Sequence, residues 1–353
     1  MSAEAPRPAA PPARADETCV GDEVCVIAVD AMGGDRAPAE IVAGALLAAA
    51  EPGIGVLLVG SPEAIQEHLP GGEPPDRVEV LAASDTIRMG EEPVAAVRAR
   101  KDASVVRAAA AVRDGRARAM VGAGNTGATM ASALFKLGRL PGIDRPAIAV
   151  PIPVFGGPPQ LLVDGGASVD CQPEWLLQFA RMGMAYARVR LGVESPSIGL
   201  LSNGEEAGKG DDLRKKTLPL LVDIPGFVGN VEGREVMTGW PNIVVTDGFT
   251  GNVVLKTLEG ALKTMHRVIA EVLDSSPEAR EAAALIGPAF LDAATKLDPD
   301  EYGGALLMGV GGVCVISHGS SSARAIRNAV LMAADYVRRD VVGLMREAVS
   351  GAG

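Results

Sequence analysis

Apolar residues in this chain gather into short unbroken runs separated by stretches of helical spacing, and the alternation starts at residue 24. Residues 24–30, Val-Cys-Val-Ile-Ala-Val-Asp, stay apolar up to the closing Asp30, which is the pattern of a strand buried on both faces. Comparable runs at 55–59, 78–81, 118–121, 147–153, 160–163, 197–201, 227–231, 243–247, 305–310 and 313–317 predict further strands. The intervening segments predict helices: one to residue 50, then 62–68, a long one over 91–113, 126–137, 174–190, one from about 211, 253–274, and a last one to about 349. Strands alternating with helices predict an α/β fold, a mostly parallel sheet with right-handed crossovers and helices on both faces. No internal repeat or linker divides residues 23–350, so a single domain is expected there. Residues 1–22 are rich in Ala and Pro without apolar periodicity and are expected to form a disordered tail.

One apolar run breaks the pattern. Residues 278–297 read as a helical hairpin whose centre, Leu285-Ile286-Gly287-Pro288-Ala289-Phe290-Leu291, is apolar across its own turn. Turns are ordinarily polar, so this tip is expected to be covered by a second subunit, an acyl chain, a membrane surface or the protein's own core.

Several strands end in glycine-bearing turns, and these carry the candidate chemistry. Val121-Gly122-Ala123-Gly124-Asn125-Thr126-Gly127 passes from a strand into a helix, placing free N–H groups and a positive dipole end beside glycines that let a ligand approach. The turn suits an anion such as phosphate. It also matches G-x-G-x-x-G, with Asp144 near the spacing of a ribose-binding acid, although Asp144 precedes the next strand instead of ending one. A tight turn that binds nothing is the plainer alternative.

The same logic recurs. After the first strand, Gly33 and Gly34 deliver Asp30 and Asp35 to a strand end, where Asp35 either meets a ligand or caps the next helix. The polar loop 202–213 holds Asn203 and sets Lys209 between two glycines; it lacks Walker spacing and reads as a ligand loop or a solvated one. Asp247-Gly248-Phe249-Thr250-Gly251-Asn252 turns a strand into a helix, and His318-Gly319-Ser320-Ser321-Ser322 opens the last helix. His318 is there a general acid or a cap-region residue. Cys171, after a further acidic strand end, carries no spacing that ties it to His318 as a thiol nucleophile. These turns together suggest one site assembled from several strand ends.

Composition narrows the classes. With 48% hydrophobic residues but only 3% aromatics, the core must be built from Ala, Val, Leu, Ile and Met. A net charge of −11 argues against nucleic-acid binding, and an acidic partner would need a local patch such as Arg98, Arg100, Lys101 and Arg107. Four cysteines and three histidines lie scattered, so neither a disulfide framework nor a metal site is expected, and a cytoplasmic setting is. No run is long enough to span a bilayer, and the N-terminus lacks signal-peptide order.

Taken in order, Asp30-Ala31-Met32-Gly33-Gly34-Asp35, Gly124-Asn125-Thr126-Gly127, residues 200–213, Gly229-Asn230-Val231-Glu232-Gly233-Arg234, Asp247-Gly248-Phe249-Thr250-Gly251-Asn252-Val253, Tyr302-Gly303-Gly304 and His318-Gly319-Ser320-Ser321 resemble the PlsX family of phosphate acyltransferases. The likeness runs over about 24–349, with Ser168 standing where that family usually has Asn. It implies transfer of a fatty acyl group from acyl-acyl carrier protein to inorganic phosphate, for phospholipid synthesis. It further implies a Rossmann-like three-layer α/β/α fold akin to phosphotransacetylases and the isopropylmalate dehydrogenase group, a homodimer, no cofactor, no metal, and peripheral membrane contact through the apolar hairpin. Phosphate is already an anionic nucleophile, so such a site needs positioning, oxyanion donors and a proton for the thiolate. Lys209, Asn252 and His318 are the candidate catalytic residues, with Asn125 a further hydrogen-bond donor. Asp30, Gly33, Gly34, Asp35, Gly124, Asn125, Thr126, Gly127, Asn203, Asp247, Thr250 and Ser320 are the candidate substrate and phosphate binders. Arg98, Arg100 and Lys101, or Arg214, Lys215 and Lys216, are candidate docking charges for the acidic carrier. Two other classes remain open on the residues: a nicotinamide-dependent dehydrogenase and a non-catalytic phosphate-binding scaffold.

Overall fold

A computed structural model describes residues 24–350, and the tail expected over 1–22 lies outside the described residues. In chain order the elements are β1 (Cys25–Asp30), α1 (Ala39–Ala49), β2 (Ile54–Gly60), α2 (Pro62–Gln66), β3 (Val78–Ala82), α3 (Pro93–Ala99), α4 (Ser104–Arg113), β4 (Ala119–Gly122) and α5 (Thr126–Leu137). There follow β5 (Ala147–Ile152), β6 (Gln160–Val163), α6 (Pro173–Tyr186), β7 (Ile198–Leu201), α7 (Asp212–Leu221), β8 (Phe227–Val231) and β9 (Ile243–Val245). The described chain closes with α8 (Gly248–Asp274), α9 (Pro277–Lys296), β10 (Ala305–Met308), β11 (Val313–Ile316), α10 (Ala323–Arg338) and α11 (Val341–Ser350).

All eleven strands join one sheet in the order β3-β2-β1-β4-β11-β10-β5-β6-β9-β7-β8. Most neighbours are parallel, but β10 runs antiparallel to both β11 and β5, and β5 runs antiparallel to β6. Those reversals split the sheet. Strands β1–β4 and β11 point one way, whereas β6, β7, β8 and β9 point the other, so their C-terminal ends lie on opposite edges.

Unbroken apolar sequence gives buried strands: every residue of β2, β4, β6, β10 and β11 is buried. On one face the strands pack against α1, α6 and α10, where Tyr186 and Tyr336 bury their rings and join their hydroxyls at 2.7 Å. On the other face they pack against α4 and α5. Farther along that face Ile152, Leu162 and Val244 meet Val254, Leu255 and Leu258 of α8. Each such fully buried Leu, Ile or Val contributes about 1.5–3 kcal/mol, so an aromatic-poor core suffices.

Two helical expectations change. The long helix over 91–113 is two helices, because Asp102 leaves the helical path to accept hydrogen bonds from Ser84 N–H and hydroxyl and to pair with Arg107 at 2.6 Å. The hairpin expected within 278–297 is instead α8 against α9, with its turn at Ser275–Ser276; Ser276 caps α9 by accepting from the Ala279 N–H at 3.0 Å, and Pro277 opens the helix. Gly287-Pro288 lies inside α9, and the apolar run is its exposed flank, with Leu285 82% and Leu291 70% accessible. Among the described residues no helix is long and apolar enough to cross a membrane.

Candidate active site

At the first edge, the turns after β1, β4 and β11 interlock through their backbones. A Cβ at Gly33 would lie 2.9 Å from the Gly124 N, and one at Gly34 3.1 Å from the Gly319 O and 3.2 Å from the Ala123 O. Only glycine permits that approach; Gly34 also has φ +117°. The Asp35 N–H donates to the Gly319 carbonyl at 2.8 Å, and Arg36 donates to the Ser320 carbonyl. Asn125 caps α5 by accepting from the Ala128 N–H at 3.0 Å, while its amide donates to the carbonyls of Arg88, Met89 and Glu91. That side chain is fully occupied in pinning the 88–91 loop to the turn. The N–H groups of Thr126 and Gly127 have no acceptor among the described residues and open toward the edge. Beneath them Asp30 is buried, and burial pushes its carboxyl up to about 6 against the lowering pull of the nearby Ser104 hydroxyl and the N–H groups of Met32 and Gly33. The Ser104 hydroxyl lies near it without a hydrogen bond of normal geometry.

The opposite edge carries Lys209, Asn203, Asp247, Thr250 and Asn252. Here one buried side chain does the joining. Arg214, 6% exposed, pairs with Asp247, donates to Thr246 at 2.8 Å and Thr250 at 3.0 Å, bonds the Leu201 carbonyl at 3.1 Å and meets Asp211 at 2.9 Å. Burial alone would raise Asp247, but the Thr250 N–H and the Arg214 guanidinium hold it below the usual carboxylate range. Asp247 and Thr250 are thereby committed to capping α8 and to Arg214. Arg214 cannot serve as a docking charge, because it is buried and its guanidinium nitrogens are all engaged within the fold. Next to this network, the buried Asp164 accepts the N–H groups of Ile148, Gly166, Ala167 and Ser168 at 2.7–3.0 Å; burial outweighs those bonds and raises its carboxyl.

Asn203 spends its side-chain oxygen on the Gly210 N–H at 2.8 Å, which closes the loop that presents Lys209. The Lys209 side chain is exposed and lies over Gly204, and its ammonium has no partner among the described residues. Asn252 is exposed against Gly166, and its amide likewise has no partner among the described residues. These two are exposed polar groups of this edge without a partner among the described residues; the buried Ser202 hydroxyl and Asn230 side-chain oxygen also lack one.

Helix α8 joins the edges. It starts beside Asp164, where a Cβ at Gly251 would fall 1.9 Å from the Asp164 carbonyl oxygen, and crosses the sheet face. One turn beyond Asn252, about 6 Å along the axis, Lys256 Nζ lies 3.1 Å from His318 Nε2. His318 Nδ1 in turn lies 2.8 Å from the Ser320 hydroxyl. So the strand ends expected to assemble one site lie on two edges, and α8 connects them. No hydrogen bond or ion pair joins Lys209 directly to Asn252 or His318 among the described residues.

Sequence reading missed Lys256 and the burial of Arg214. Lys256 was reachable, since it falls at i+4 from Asn252 and shares its helical face. Two weaker readings lose their basis. Asp144 sits at the start of β5, on the edge opposite the Gly124 turn, with its carboxylate bonded to Gln178 at 2.8 Å, so it cannot meet a ribose held at Gly124. Burial pushes the Cys171 thiol up to about 12, which leaves it inert as a nucleophile near neutrality.

The sequence pattern of a family described as fatty acid synthesis protein matches residues 25–344. A phosphate acyltransferase of Desulfitobacterium hafniense is 49% identical over 313 residues, covering 88% of this chain and 93% of the relative. One from Gloeothece citriformis is 47% identical over 320 residues, covering 90% and 91%. Among solved structures, a phosphotransacetylase from Streptococcus pyogenes superposes with a TM-score of 0.60 at 16% identity, covering 92% of this chain and 96% of its own; at that identity the likeness concerns the fold.

Proposed function

The chain belongs to the family of fatty acid synthesis proteins, and from that premise we propose that it transfers a fatty acyl group from acyl-acyl carrier protein to inorganic phosphate, releasing acyl phosphate and free carrier thiol for phospholipid synthesis. One observation carries the reading. At the second edge the carboxylates Asp164 and Asp247 are committed internally, while Lys209 and the Asn252 amide there, and the Thr126 and Gly127 N–H groups at the first edge, are left for an anion and a developing oxyanion.

A phosphate oxygen attacks the thioester carbonyl carbon, forming a C–O bond as the C–S bond breaks. The proton carried in by hydrogen phosphate leaves on the carrier thiol, so the step balances without metal or redox chemistry. Lys209 and Asn252 stabilise the tetrahedral oxyanion, and the α5 N-terminus with Gly124 faces phosphate. Residues 23–350 act as one catalytic unit. Carrier docking falls to exposed Arg98 and Lys101, near which the Lys136 ammonium is held below its ordinary value by partial burial and by neighbouring Arg113 and Lys101. A basic patch on a chain of net charge −11 suits an acidic carrier. The exposed flank of α8 and α9, with Val268, Val272, Leu285, Ile286 and Leu291, supports a homodimer and peripheral membrane contact.

Purified protein given long-chain acyl-acyl carrier protein and phosphate is expected to form acyl phosphate and free thiol in equal amounts. Lys209→Ala and Asn252→Ala are each expected to cut turnover by about 10²-fold or more. Wild-type turnover in both variants would remove the assignment of these roles, and absence of acyl phosphate from folded wild-type protein would remove the function.

A further inference from the structure

We propose that Lys256 is the phosphate-binding cation of this site and that His318 positions it. This rests on the phosphate acyltransfer reading above. Lys256 lies one turn past Asn252 on the helix that crosses between the edges, and its Nζ is 3.1 Å from His318 Nε2. His318 belongs to the turn whose Gly319 carbonyl holds the Asp35 N–H at 2.8 Å and whose neighbour is the β4–α5 turn with its unpaired N–H groups. Lys209, by contrast, sits in a loop tied to the far edge through Glu206 and Asn230. An acidic chain that holds a phosphate dianion beside α5 needs a cation on that side, and Lys256 is the one that α8 delivers to the turn.

The partners of His318 bear on its role. A lysine ammonium only donates, so the pairing with Lys256 makes His318 Nε2 the acceptor and puts the ring proton on Nδ1, 2.8 Å from the Ser320 hydroxyl; the Ser320 N–H, 3.2 Å from Nδ1, favours the other tautomer and opposes that pairing. In this arrangement the imidazole orients Lys256 and does not itself hold a proton toward the thiolate. Glu259 holds the same ammonium at 2.9 Å from both carboxylate oxygens, competing with phosphate for it. The two lysines divide the charge: Lys256 takes the nucleophile and Lys209 the thioester oxygen.

Kinetics on Lys256→Met, Lys256→Arg, Glu259→Gln and His318→Gln separate these roles. Lys256→Met is expected to raise the KM for phosphate about tenfold or more while leaving the KM for the acyl carrier within about twofold, and Lys256→Arg to recover most of the loss. Glu259→Gln, which frees the ammonium, is expected to lower the phosphate KM by about twofold. His318→Gln keeps an acceptor and is expected to preserve more phosphate affinity than His318→Ala. Lys256 is half exposed, so the fold tolerates its replacement. An unchanged phosphate KM in Lys256→Met, or an equal rise in both KM values, overturns the proposal. Should wild type make no acyl phosphate, the function fails separately; calorimetric titration of wild type and Lys256→Met with inorganic phosphate still decides, with equal affinity counting against Lys256.

Discussion

At the edge formed by β1, β4 and β11, Gly33, Gly34 and Gly124 let three turns approach backbone to backbone, while the Asp35 and Met89 side chains lie against Gly319. At the edge formed by β7 and β9, the loops meet through the single guanidinium of Arg214, which bonds the Leu201 carbonyl on one side and Asp247, Thr246 and Thr250 on the other. Backbone contact leaves one arrangement, because any Cβ collides. A side-chain clasp concentrates the organisation of Lys209 and Asn252 in one replaceable group. The first edge suits a fixed cradle for a small anion, the second a loop that adjusts around a bulky thioester.

The largest expected effect breaks the clasp. Arg214→Met leaves Asp247 buried without its cation and is expected to cost about 3–5 kcal/mol, read as a lower denaturant midpoint, together with a fall in kcat. If stability is unchanged, the clasp is not what holds that edge.

Asp30, under the glycine edge, gives a pH-dependent contrast. Its folded carboxyl titrates near 6, above the unfolded value of 3.8, so the stability it contributes is complete below 3.8 and lost as pH rises through 6. Wild type should lose about 2 kcal/mol from this group between pH 4 and 7.5, and Asp30→Asn should not. Urea unfolding of both proteins across that range should show the gap opening as pH rises; a constant gap contradicts the burial of the charge.

Gly33→Ala places a methyl 2.6 Å from Asp30 Oδ2 and 2.9 Å from the Gly124 N. It should cost about 1–3 kcal/mol and weaken phosphate binding more than carrier binding. A wild-type midpoint would mean that the turns slide apart. Asn125→Ala removes a helix cap and the tie to residues 88–91, for about 1–2 kcal/mol by thermal unfolding. Smallest for stability is Leu285→Glu with Leu291→Glu, on an α9 flank that touches little of the fold. The midpoint should move by less than about 0.5 kcal/mol, while self-association and vesicle binding decline; a cooperative loss of folding would place those residues in a core.

The glycine edge was legible in the sequence because its constraint is local: an apolar run, then glycines, then a helical pattern. Strand positions followed from the same continuity of apolar residues. The direction of the second half was also available, since only six residues separate the runs at 147–153 and 160–163, too few for the crossover that parallel strands require. Other features were hidden by competing local signals. Gly287-Pro288 carries turn chemistry, yet α9 runs through it because the hairpin closes at the capped Ser276-Pro277. Residues 91–113 have helical composition throughout, and what divides them is a contact between Asp102 and Ser84 far back in the chain. Arg214 heads an Arg-Lys-Lys run that reads as surface charge. Only the meeting of β7, α7 and α8 buries its first member, and no periodicity reports that.

Acyl phosphate made from phosphate labelled with ¹⁸O at all four oxygens, analysed by mass, tests the central claim most directly. Direct attack of phosphate on the acyl thioester predicts product that retains every labelled oxygen and appears in step with free carrier thiol. Thiol released without labelled acyl phosphate would mean hydrolysis by water and would contradict the account.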